Sequence, residues 1–162
     1  MINDMQHRLH KTRPKIVYLV KLGSTFAILL FCWNASAADA SSTLSLRVSG
    51  FAHDRGHAIA NLFREGDDVL KPDAAYRRVQ ADIHDGLVTI NIPDLAYGSY
   101  AVSVFHDENG NGTLDHNIFR FPAEPLGFSN HFSLGLLSGM PSFEKLKFQF
   151  SADAVAIEIS IK

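Results

Sequence analysis

The sequence predicts an all-β protein: one antiparallel β-sandwich of about seven strands, Ig-like or transthyretin-like in topology, behind an N-terminal signal peptide. Three observations predict it. Apolar and polar side chains alternate with period two in four separate runs. Turn residues punctuate the chain at short intervals, and no stretch carries a convincing helical period.

The first element is a leader. Lys11, Arg13, Lys15 and Lys21 form a basic region, residues 22–33 are mostly apolar, and Ala35-Ser36-Ala37 supplies small residues at a cleavage site. Ile16 to Val20 would lengthen the apolar run, but Lys21 interrupts it, which leaves it short of the roughly 20 residues a membrane span needs. Cleavage after Ala37 is expected, with an uncleaved anchor as the alternative, so residues 1–37 read as signal peptide and 38–162 as one domain of periplasmic or secreted destination. Cys32, the sole cysteine, falls inside the leader behind Leu30 and Phe31, which are too large for a lipidation site. The mature domain therefore has no disulfide and must rely on its apolar core or on bound metal.

Strands follow in order. Leu44, Leu46 and Val48 alternate with Ser45, Arg47 and Ser49; Val88, Ile90 and Ile92 alternate with Leu87, Thr89 and Asn91. Leu146, Phe148 and Phe150 repeat the pattern, as do Val155, Ile157, Ile159 and Ile161. Weaker strands are read at His57–Arg64, 76–83 and 100–106. Asp85-Gly86 between Ile83 and Leu87 is a hairpin signal. Residues 65–75 have no period and read as a loop with room for one helical turn.

The remaining segment, 107–142, is too long for an ordinary connection and too apolar to be disordered, which marks it as a packed, functional loop. It opens Asp107-Glu108-Asn109-Gly110-Asn111-Gly112-Thr113-Leu114-Asp115. Oxygen donors at the first, third, fifth and ninth positions, with glycine at the sixth, match the start of an EF-hand calcium loop. Ca²⁺ prefers six to eight oxygens. Asp107, Asn109, Asn111 and Asp115 with the Thr113 carbonyl offer five, but Ile118 stands where the bidentate glutamate belongs. The expected site is weak, and the alternative is a turn in which the asparagines bond their own backbone. His106, Glu108, His116, Glu124, Phe128 and Asn130 complete the expected loop surface.

The run from Gly98 to Asn111, with Leu114-Asp115, Pro122, Glu124 and Gly127-Phe128-Ser129-Asn130, resembles a family of small secreted bacterial proteins known as domain of unknown function 2141. The resemblance extends from about Leu44 to Lys162. It departs from the family pattern at Arg120 and Pro125, which stand where glycines are expected. It implies export and a β-sandwich, and it implies no activity. The stretch 95–104 is also similar to a strand of transthyretin-like and surface-protein B-type domains, a likeness of fold alone.

Charge narrows the partners. Removing residues 1–37 leaves 10 basic and 16 acidic residues, a net charge of 10 − 16 = −6, which argues against nucleic acid and makes cations the natural ligands. A Zn²⁺ or Cu²⁺ site at His106 and His116 with Asp107 or Asp115 lacks any HxH or HxxxH spacing. Ser129 lacks the G-x-S-x-G elbow. Asp107 with Glu124 could imitate a glycosidase pair only if the fold opposes them. Phe119, Phe121, Phe128 and Phe132 suit either a ligand groove or packing beneath the loop. The expectation is an exported, monomeric, non-catalytic module without a membrane span after cleavage, binding an envelope or extracellular ligand through the loop. The alternatives are an envelope-polymer hydrolase using loop carboxylates and a structural accessory domain.

Overall fold

The computed structural model describes residues 41–135 and 137–162; the expected leader lies outside them. The described residues form eight strands, one more than the seven expected: β1 Ser41–Ser49, β2 His57–Arg64, β3 Arg77–Ala81, β4 Leu87–Ala96, β5 Gly98–Asp107, β6 Leu126–Phe128, β7 Phe148–Phe150 and β8 Ala156–Ser160. A 3-10 turn at Pro72–Ala74 fills the expected helical position, and a four-residue helix, α1, spans Phe143–Leu146.

Two sheets face each other. The first runs β4-β1-β8 and the second β3-β2-β5-β6, with β7 pairing β5 beside β6. Between them lie Leu44, Leu46 and Val48 of β1, Val88, Ile90 and Ile92 of β4, and Ala58, Ala60, Leu62, Val102 and Val104 of the second sheet. Fully burying one such leucine or isoleucine contributes about 1.5–3 kcal/mol, so the alternation is what joins the sheets.

The sandwich is not wholly antiparallel. β1 pairs β8 in parallel, from Ser45 opposite Ala156 to Ser49 opposite Ser160. β5 departs from alternation in a different way: residues 100–107 are all buried. Its second face is covered by another apolar layer, in which Phe63, Val69, Ala101, Phe128 and Leu146 pack together with Phe132 and Phe143. The expected strand at 145–150 is therefore split. Leu146 turns into this outer layer from α1, while Phe148 and Phe150 continue as β7 into the main core.

The hairpin at Asp85-Gly86 forms as expected, with both residues at positive φ (53° and 72°). The Asp54 carboxylate accepts both of their backbone N–H groups at 2.9 Å, and those bonds hold its pKa below the ordinary 3.8. At the opposite edge, Leu126 and Lys162 exchange backbone hydrogen bonds at 3.2 and 3.3 Å, so β6 also ties the second sheet to the chain beyond β8. Among the described residues no helix is long and apolar enough to cross a membrane.

Candidate functional site

The long loop leaves β5 at Asp107, the last residue of the strand and 1 % exposed. Its carboxylate accepts the N–H of Asn111 at 3.1 Å and of Gly112 at 2.8 Å. Asn109 and Asn111 each accept a backbone N–H two residues on, from Asn111 and Thr113 respectively. Their amide nitrogens both donate to Asp115, Asn109 at 2.6 Å and Asn111 at 3.1 Å. Thr113 enters through its hydroxyl, which donates to Asn111 Oδ1. The structure thus gathers all five residues of the expected calcium set into one ring, but the ring is closed by hydrogen bonds. The asparagine nitrogens, rather than their oxygens, face Asp115.

Glu124 fastens this ring. Only 8 % exposed, it accepts the N–H of Glu108 with one oxygen and that of Asp115 with the other, at 3.0 and 3.1 Å. Asp107 and Glu124 are thereby committed to backbone donors, a structural use of both carboxylates of the supposed catalytic pair. Ser129, fully buried, is likewise structural: it accepts from Val102 N–H at 2.9 Å and donates to the Leu146 carbonyl at 2.6 Å. Asn130 reaches the Lys145 carbonyl at 3.0 Å, securing α1.

His106 and His116 lie apart in kind. His116 is exposed and pairs with Pro122 across a small hairpin, whereas His106 is fully buried on the core side of β5. His106 Nε2 bonds the Arg55 carbonyl at 2.7 Å, and its ring lies 4.9 Å from that of His53. Glu108 faces both imidazoles, 3.5 Å from His53 Nε2 and 3.7 Å from His106 Nδ1. Spacing gave no hint of His53. Among the described residues no group of three or more His, Cys, Asp or Glu side chains is arranged to hold a metal ion.

Beyond Asp115 the loop becomes a lid with its own cavity. The Asn117 carboxamide oxygen accepts N–H groups from Phe119 and Phe121 at 3.0 and 3.1 Å, and the Asn117 carbonyl accepts that of Arg120 at 2.9 Å. This turn projects Ile118 and Phe119 into solvent, 90 % and 73 % exposed. Between the hairpin, residues 134–135 and 139–141, and the outer face of β5 lies a cavity of about 560 Å³. Ser103 and Phe128 form part of its wall, and Leu126, Phe121, Leu134 and Met140 supply apolar surface. The phenylalanines divide their roles. Phe128 and Phe132 pack edge-to-face at 5.4 Å in the outer layer, Phe121 and Phe128 line the cavity, and Phe119 does neither.

An all-β sandwich with one built-up face, where a self-tied acidic loop leads into a lidded apolar cavity, is the class of protein the fold and site define. The chain belongs to the family described as "Uncharacterized protein conserved in bacteria (DUF2141)", which matches residues 46–158, close to the 44–162 expected from its motifs. Comparison with curated proteins and with solved structures gives no match.

Proposed function

We propose that this protein is a non-catalytic binding module of the bacterial envelope or exterior, with residues 107–142 as its working surface and the lidded cavity as its ligand site. The observation that carries this reading is the cavity itself. Its volume of about 560 Å³ falls within the range of roughly 300–1,000 Å³ typical of small-molecule sites, and apolar side chains dominate its wall. The commitment of Asp107, Glu124 and Ser129 to backbone partners supports a binding role over a hydrolytic one.

The test is titration of the neutral fluorophore N-phenyl-1-naphthylamine into residues 38–162 and into Met140→Trp. Met140 is 65 % exposed at the cavity, so a larger side chain obstructs the site without disturbing the core. Saturable enhancement that Met140→Trp weakens about tenfold or more is expected. Enhancement identical in the two proteins overturns the assignment.

Calcium has a place in this reading as a weak pin for the ring at 107–115. The buried Asp107 carboxylate and the convergence of Asn109, Asn111 and Asp115 favour it. Binding requires both asparagine amides to turn their oxygens inward, which is a reason for low affinity, on the order of 10⁻⁴ to 10⁻³ M. Thermal melts in CaCl₂, MgCl₂ and EDTA are expected to show a calcium-specific rise that Asp107→Ala removes. Equal melts in calcium and EDTA leave the ring a hydrogen-bonded turn.

A further inference from the structure

We propose, resting on the cavity's being a ligand site, that it takes a single-chain amphiphile with an anionic head, the tail among the apolar side chains and the head on Arg120. Three observations converge. The cavity wall contains no Asp or Glu, and Arg120 is its one permanently charged residue, with His116 also in the lining. Across residues 41–162 basic side chains number 10 and acidic ones 15, a balance of 10 − 15 = −5. A carboxylate-free cavity carrying a cation is thus a local reversal of the domain's charge, complementary to an anion.

The second observation is the state of the guanidinium. Arg64 lies 3.9 Å over the Tyr76 ring, Arg77 donates to the Pro93 and Asp94 carbonyls, and Arg78 pairs with Asp73 at 3.3 Å. Arg120, like Arg47 and Arg55, has no ion pair or side-chain hydrogen bond among the described residues, and of these three it alone lines the cavity. A planar fork of five donors is left available for a carboxylate or phosphate.

The third is the backbone beneath it. Arg120 sits at φ +62°, a left-handed conformation that glycine adopts without penalty and an arginine does not. Asn117 enforces that turn through its three accepted N–H groups. The fold therefore holds a strained residue whose long cationic side chain lines the cavity, a placement that suits recognition better than stability.

Isothermal titration with decanoate, decyltrimethylammonium and phosphatidylglycerol vesicles tests this on wild type, Arg120→Gln and Arg120→Gly. The glycine variant guards against misfolding, because the turn's own geometry favours it. Wild type is expected to bind decanoate about tenfold tighter than decyltrimethylammonium, and both variants are expected to lose that preference while retaining the cationic amphiphile. Equal affinity of wild type for the two heads overturns the head-group assignment and leaves the cavity reading intact. Absence of binding by either amphiphile overturns both. Binding to the vesicles alone overturns the free-amphiphile assignment in favour of a membrane surface.

Discussion

Gly127 is the point where the cavity wall is anchored to the sandwich, and replacing it tests that anchoring directly. It lies at the centre of β6 between Leu126 and Phe128, both of which line the cavity. A Cβ placed there would stand 2.7 Å from the Ser160 carbonyl oxygen and 2.9 and 3.0 Å from methyl groups of Ile159 and Ile161. No torsion change of a flexible side chain relieves the contact with a backbone oxygen, so β6 must move away from β8. Overpacking of this kind costs about 1–3 kcal/mol. The movement also stretches the paired Leu126–Lys162 hydrogen bonds, worth about 0.5–1.5 kcal/mol each. Gly127→Ala is therefore expected to lose about 2–6 kcal/mol, or roughly 10–20 °C in Tm for a domain of this size. Urea denaturation followed by tryptophan-independent far-UV circular dichroism measures it. Gly98→Ala serves as the control, since the nearest atom to its added methyl is a Tyr100 side-chain carbon at 3.8 Å. A loss below about 0.5 kcal/mol for Gly127→Ala, or equal losses for both variants, would refute the steric argument.

Asn61 is fully buried on β2 opposite Ser103, and neither atom of its carboxamide has a hydrogen-bond partner. Asn61→Leu, similar in shape and free of orphaned polar atoms, is expected to raise stability by about 1–2 kcal/mol in a urea titration; a loss of that size would mean the amide is paired after all. Asp54 makes acid stability specific to one hairpin. Its folded pKa is depressed below 3.8 by the N–H groups of Gly86 and Asp85, so its contribution is full above the unfolded value and disappears as pH falls through the folded one. The Tm advantage of wild type over Asp54→Asn is thus expected to shrink steadily below pH 3.8, and an advantage that persists undiminished at pH 2 would exclude the carboxylate as its source.

Much of the sandwich is legible in the chain because β1 and β4 each bury alternate side chains, as their local patterns report. Leu44, Leu46 and Val48 face inward as their alternation requires, and Asp85-Gly86 turns where its residue types allow positive φ. The parts that escaped reading depend on distant neighbours. Ala101, Ser103 and Phe105 alternate with core residues yet are buried too, because the loop folds back over them. Leu146 fits the period of Phe148 and Phe150, but the outer layer draws it into a helical turn. Parallel pairing of β1 with β8 leaves no local trace, and β6 is three residues long with glycine at its centre. In the site, the self-bonded turn at 107–115 was legible as the alternative to a calcium loop, because Asn109 and Asn111 accept backbone N–H groups within their own segment. Arg120 could not be read as a cavity residue, since its role comes from an unfavourable backbone conformation imposed by Asn117 and from walls supplied by residues 134–135 and 139–141.

The parallel pairing of β1 with β8 also bears on how the molecule comes into being. Ser45 and Ala156 are neighbours in the finished sheet although 156 − 45 = 111 residues separate them in the chain. At synthesis rates of roughly 5–20 residues per second, the first strand waits about 6–22 s for its second neighbour. During that interval β1 presents an unpaired row of backbone donors and acceptors, the kind of edge that recruits other chains. Until residues 156–160 have been made the sheet is incomplete, and a ribosome-bound or truncated product lacking them is an aggregation hazard that a chaperone would have to shield.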